Sequence, residues 1–273
     1  MEMGETNMKS VVITGSSSGL GLELAKEFRR AGYDVALSGR NEEKLSKAAG
    51  TLQAAPGSGK VVAIRADVTS LQDVEHLATE ADRQLGGIGI WINNAGVNQP
   101  FKAIWELTEA ETDAMVSTDL MGTINGSKVA MNHMLGKGGA IYNVEGYGSN
   151  DAMMLGLNLY GTTKRAVTHF TVALAKESEE RGTGVLVGRL SPGIMLTDFT
   201  TNSLGGDRID LPEKTKNFYN IVGDYPDVVA RFLVDGMLKN TKNNIQIQWL
   251  TTAKVMKKFM TARKNKKDYF KEK

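Results

Sequence analysis

Residues 11–28 read VVITGSSSGLGLELAKEF, and this stretch decides the fold. Val11, Val12 and Ile13 make a short β-branched run, the composition of a strand buried on both faces. Leu20, Leu24 and Phe28 then recur at i, i+4 and i+8, the apolar stripe of an amphipathic helix. Between strand and helix lies Gly15-Ser16-Ser17-Ser18-Gly19-Leu20-Gly21. Glycines permit a tight turn there, and they let backbone N–H groups at the helix start approach a pyrophosphate. A glycine trio alone is weak evidence. A strand before it and a helix after it supply the context of a dinucleotide-binding turn.

The same alternation continues outward. Apolar runs recur at Val35–Leu37, Val61–Ile64, Ile88–Ile92, Ala140–Val144, Val185–Leu190 and Ile245–Leu250, with helical periodicity between them. Short buried strands alternating with helices predict an α/β fold: a Rossmann-type doubly wound parallel sheet of about seven strands, with helices on both faces. No repeat, low-complexity block or long linker interrupts it. The expected organisation is one domain over 1–251, followed by a basic C-terminal helix or tail over 252–273.

Composition narrows the function classes. The chain has 273 residues, 41% hydrophobic and 23% charged, and no cysteine, which excludes disulfides and thiolate chemistry. No apolar stretch reaches transmembrane length, and the N-terminal MEMGETNMKS has no apolar core. The expectation is a soluble cytoplasmic protein with no metal site. Net charge is +2, but residues 252–273 hold nine cations against Asp268 and Glu272, so the tail is +7 and the remainder −5. A nucleic-acid-binding body is therefore not expected.

Tyr160 and Lys164 are four apart, which places both on one helical face. Such a pair suits proton transfer. A phenol working near neutral pH needs its pKa of about 10 lowered by about 3 units, or about 4 kcal/mol. One ammonium about 4 Å away supplies about that much at an effective dielectric near 20.

These motifs combine with others. T-G-x-x-x-G-x-G from Thr14 to Gly21, Asn93-Asn94-Ala95-Gly96, Tyr160-x-x-x-Lys164, Ser191-Pro192-Gly193 and Thr197 stand in the order and spacing of the short-chain dehydrogenases/reductases, which the chain resembles. The phrases YGTTKRAVTHFTVALAKE and LSPGIMLTD look closest to a chlorophyll-b-reductase-like branch. The resemblance implies an oxidoreductase in which Tyr160 is the general acid/base and Lys164 assists it and holds the nicotinamide ribose. It implies cofactor contacts from Gly15, Ser16, Ser17, Gly19, Leu20 and Gly21, from Asp67 and Val68, from Asn94, Ala95 and Gly96, and from Pro192, Gly193, Ile194 and Thr197. It also implies a homodimer or homotetramer.

At the end of the second strand, where NAD-preferring relatives carry an acid, this chain has Gly39 followed by Arg40. A guanidinium there can bind a 2′-phosphate bidentately, so NADP(H) is expected over NAD(H). Reduction of a hydrophobic carbonyl to its alcohol is the expected reaction. A nucleotide-binding regulator without turnover is the rival reading.

Two departures motivate that rival. The family's serine pair is replaced by Glu145-Gly146, and Tyr147, not serine, lies thirteen residues before Tyr160. Ser149 is the expected substitute hydroxyl, with Tyr147 second, and Glu145 is expected to turn away. The family's structural asparagine is replaced by Asp119, whose carboxylate is expected to keep Tyr160 protonated if it faces Lys164. Residues 198–226 form the expected substrate lid, and Met153, Met154 and Met195 are candidates for an adaptable cavity wall. In the tail, Val255, Met256, Phe259 and Met260 make an apolar stripe among lysines. Such a stripe ordinarily packs on its own body, with peripheral membrane contact as the alternative.

Overall fold

The computed structural model describes residues 8–195, 197, 213–262 and 270. Seven strands form one sheet: β1 Ser10–Ile13, β2 Asp34–Gly39, β3 Val61–Arg65, β4 Ile90–Asn93, β5 Gly139–Val144, β6 Val185–Ser191 and β7 Gln246–Gln248. Their order is β3-β2-β1-β4-β5-β6-β7. Every pairing is parallel, with Val11 beside Val35 on one side and Ile90 on the other. All seven expected strands are present. The last is shorter than its apolar run because only Gln246–Gln248 pairs with β6.

The helices are α1 Gly19–Arg30, α2 Glu42–Ala54, α3 Leu71–Leu85, α4 Glu109–Met115, α5 Gly122–Met134, α6 Asn158–Glu180, α7 Glu213–Val222, α8 Pro226–Leu238 and α9 Thr252–Thr261. Strand side chains alternate between two cores, as the pleat requires. Val11, Ile13, Val35, Leu37 and Ile92 face Leu24 and Phe28 of α1 and Leu233 and Met237 of α8. Val12, Ala36, Trp91, Ile141 and Val187 face the opposite layer, with Val74 and Leu77 of α3 and Val129 and Ala130 of α5. This is why the central strands read as unbroken apolar runs: both their faces are covered.

Caps fix the helix ends near the site. The Asn41 side chain accepts from Lys44 N–H at 2.8 Å and starts α2. Ser70 accepts from Asp73 N–H at 3.2 Å and starts α3, which ends at Gly86 in the left-handed region. Ser18, at the start of α1, makes no such side-chain bond, and the first turn carries no acid. Between α4 and α5 the chain makes a π-helical turn over Val116–Met121, which carries Asp119. Turns of this kind concentrate at functional sites.

Strand order reverses between β1 and β4, so the loops after them part and leave a crevice at the carboxyl end of the sheet. Among the described residues no helix is long and apolar enough to cross a membrane, and no His/Cys/Asp/Glu group could hold a metal.

Candidate active site

A cavity of about 460 Å³ occupies this crevice. Its near wall is the turn after β1. Gly15 holds φ +63°, and a Cβ on it would come within 2.7 Å of Ala95 Cα. A Cβ on Gly21 would come within 2.6 Å of Asn94 Nδ2 and 2.7 Å of Gly15 O. Only glycine fits either place. Asn94 Nδ2 donates to Thr14 O and Gly15 O, at 2.9 and 3.0 Å. Thr14 Oγ1 accepts from the N–H groups of Asn94 and Ala95, at 3.0 and 3.1 Å. The β1 and β4 loops are thus stapled together, and the uncapped start of α1 opens into the trough between them.

Of the residues expected at a cofactor, Gly15, Ser17, Gly19, Leu20, Arg40, Val68, Asn94, Ala95, Gly96, Tyr160, Lys164, Pro192, Gly193, Ile194 and Thr197 line this cavity. Three others do not. Ser16 is fully buried, its Oγ donating to Ile13 O at 2.7 Å and accepting from Ser38 N–H at 2.9 Å. That hydroxyl braces the turn. Asp67 Oδ1 accepts from Thr69 N–H and Oγ1–H, at 3.0 and 2.8 Å. Gly21 is enclosed by the close contacts above. Lys44 joins Arg40 on the wall, which the sequence reading missed. Its signal was a second cation in the first turn of the helix that follows β2.

The reactive end lies beneath α6. Tyr160 and Lys164 are both buried and lie on one face of that helix, with Lys164 Nζ 5.7 Å from the Tyr160 ring centre. The Tyr160 N–H donates to Gln99 Oε1 at 3.0 Å. Asp119 comes up from the π-helical turn with 0% exposure. Its Oδ2 lies 3.5 Å from Lys164 Nζ, and its Oδ1 accepts from Val97 N–H at 2.7 Å. Burial pushes the Asp119 carboxyl above its ordinary range, while the Lys164 ammonium and the Val97 N–H pull against that. The Tyr160 phenol is held well above its ordinary value, first by burial, then by the Asp119 charge and then by Tyr219. Enclosure under α6 thus outweighs the lysine.

Gly146 lies beside the phenol. A Cβ on Gly146 would collide with the Tyr160 hydroxyl, so Gly146 stands where a small side chain would meet it. Ser149 is buried but does not line the cavity. Its Oγ accepts from Gly146 N–H at 3.2 Å and donates to Lys164 O at 3.4 Å, tying the loop to α6. Tyr147 and Tyr219 do line the cavity. The Glu145 carboxylate turns away, as expected, accepting from Thr168 Oγ1–H at 3.1 Å and Gln246 Nε2–H at 2.7 Å, with Arg189 3.6 Å off.

On the substrate side Met195 and Tyr219 line the cavity, while Met153 is 93% exposed and Met154 is no part of the wall. Of the expected lid, residues 198–212 lie outside the described residues, and its described part, 213–226, consists of α7 and the turn into α8.

A seven-stranded parallel sheet in this order, with its glycine turn at the switch point, is a Rossmann-type fold. Residues 9–206 match the profile of the short chain dehydrogenases, and the chain belongs to that family of oxidoreductases. It is 34% identical over 271 residues to the probable chlorophyll(ide) b reductase NYC1 of Arabidopsis thaliana, covering 93% of this chain and 53% of that protein. It is 33% identical over 274 residues to the chlorophyll(ide) b reductase NOL of the same plant, covering 94% and 76%. The chain thus spans about half the length of NYC1. Both relatives are named as chloroplastic, unlike the cytoplasmic placement expected above. Among solved structures, an alcohol dehydrogenase from Thermococcus sibiricus complexed with 5-hydroxy-NADP superposes with a TM-score of 0.73 at 25% identity, covering 89% of this chain and 96% of that one.

Proposed function

We propose that this protein is an NADPH-dependent reductase that converts the carbonyl of a hydrophobic substrate to an alcohol. The observation that carries the reading is one cavity lined by Tyr160 and Lys164, with the buried Asp119 behind Lys164, and also by Arg40 and Lys44. The glycine turn and the uncapped, acid-free start of α1 fit a pyrophosphate. Arg40 and Lys44, with no carboxylate at the end of β2, fit a 2′-phosphate. Lys164 would hold the nicotinamide ribose, and Pro192, Gly193, Ile194 and Thr197 would seat the ring. NADPH supplies the hydride when bound.

Proton delivery falls to the chain's own residues. The Tyr160 O–H donates its proton to the carbonyl oxygen as the carbonyl carbon gains hydride, giving an alcohol and a tyrosinate. Lys164 stabilises that anion. Asp119 holds Lys164 in place and keeps Tyr160 protonated beforehand, the form that reduction needs. Ser149 is engaged with backbone, so Tyr147 is the hydroxyl we assign to polarising the substrate oxygen.

The plant relatives are named for chlorophyll(ide) b, and a formyl group on a large conjugated ring is accordingly the substrate class we place first. Assembly as a homodimer or homotetramer belongs to the same reading. The missing serine favours one rival, a nucleotide-binding regulator without turnover. Oxidation of NADPH, followed by its absorbance across formyl-bearing tetrapyrroles, quinones and simple aldehydes, separates the two. Turnover on a formyl or ketone substrate is expected; tight NADPH binding with no turnover on any of them identifies the regulator.

A further inference from the structure

Helix α9 is mounted with Lys254 and Lys258 inward and its apolar side out. Lys254 lies over the Trp249 ring. Lys258 Nζ donates to Asp224 Oδ2 at 2.6 Å and to the carbonyls of Val222 and Gly223 at 2.9 and 3.2 Å, capping the end of α7. These contacts fix the rotation of the helix. They leave Met256 61%, Phe259 47% and Met260 76% exposed, and none of the α9 residues is buried. Phe218 of α7, its ring centre 6.1 Å from that of Phe259, extends the same surface. The usual arrangement, in which an amphipathic helix covers its own body with its apolar stripe, is reversed here. A contiguous outward apolar face of this kind marks an interaction surface.

Charge decides the occupant. Lys257 is exposed on α9, and the sequence continues with Arg263, Lys264, Lys266 and Lys267. Two copies meeting through this face would bring two strongly cationic segments together, whereas an anionic surface would neutralise them. We propose that the outward face of α9 is a peripheral docking site for an anionic lipid bilayer, with Met256, Phe259 and Met260 entering the headgroup boundary and Lys257 beside them. The docking face adjoins the cavity through one helix, since α7 carries both Phe218 on the surface and Tyr219 in the wall.

The test is co-sedimentation of the full chain with vesicles of phosphatidylcholine alone or mixed with phosphatidylglycerol. Binding to the mixed vesicles only, falling as salt rises, is expected. Met256→Ser with Met260→Ser should lower partitioning at least about ten-fold. NADPH binding by this double variant serves as the check on its fold. No binding to anionic vesicles, or binding unchanged in the double variant, overturns the proposal. So does light scattering that shows the double variant splitting a dimer, which would make the face a self-interface.

Discussion

Replacing Asp119 by asparagine keeps the shape of the side chain and removes its charge. The carboxylate stands 3.5 Å from Lys164 Nζ, a pairing of about 5 kcal/mol at an effective dielectric near 20. Lys164 Nζ in turn stands 5.7 Å from the Tyr160 ring centre, where its charge favours a tyrosinate by about 3 kcal/mol on the same basis. Asp119 offsets part of that gain, since its negative charge raises the phenol. With the lysine between them and some solvent relaxation, about one pKa unit of the offset should remain, or about 1.4 kcal/mol. The sign follows. Asp119→Asn lowers the Tyr160 pKa, so the tyrosinate needed for alcohol oxidation forms at lower pH. The kcat/KM profile for oxidation should shift down by about one unit, and the reductive rate at high pH should fall earlier. The assay is steady-state kinetics in both directions on one carbonyl–alcohol pair. An unchanged profile in a folded variant that binds NADPH would refute the coupling.

Arg40→Ala should weaken NADPH binding by about 1.5–3 kcal/mol, the scale of a charged hydrogen bond, and leave NADH nearly unaffected; Lys44→Ala should act in the same direction. Isothermal titration with both cofactors checks this, and equal losses for the two would rule out a phosphate clamp. Tyr147→Phe should lower kcat by about ten- to a thousand-fold if its hydroxyl polarises the substrate oxygen. Ser149→Ala should then change kcat little. The opposite ranking would return the role to Ser149.

Much of the fold was legible because its causes are local. The central strands are covered on both faces, so Val11–Ile13 or Ile90–Ile92 must be apolar throughout, and the glycine turn tolerates no other residue at Gly15 or Gly21. Tyr160 and Lys164 were legible for the same reason: four residues on a helix settle their common face. What escaped depends on contacts between distant segments. Ser149 turns to the backbone of α6 because Gly148, at φ +94°, packs against Gly161, where a Cβ would meet Gly161 Cα. No local spacing encodes that approach. The burial of Tyr160, which outweighs its lysine, comes from the whole enclosure. In α9 the apolar stripe was visible, but its outward rotation is set by Asp224 and Trp249 in other segments.

The central claim, that Tyr160 delivers the proton in an NADPH-dependent reduction, is tested most directly by Tyr160→Phe. Single-turnover oxidation of bound NADPH should be monitored against a carbonyl that the native protein reduces, alongside NADPH affinity. The account predicts that affinity is kept, because phenylalanine preserves the cavity wall, while the reductive rate falls by at least about a hundred-fold, the contribution of a positioned acid. A variant that retains a tenth or more of the native rate would contradict it.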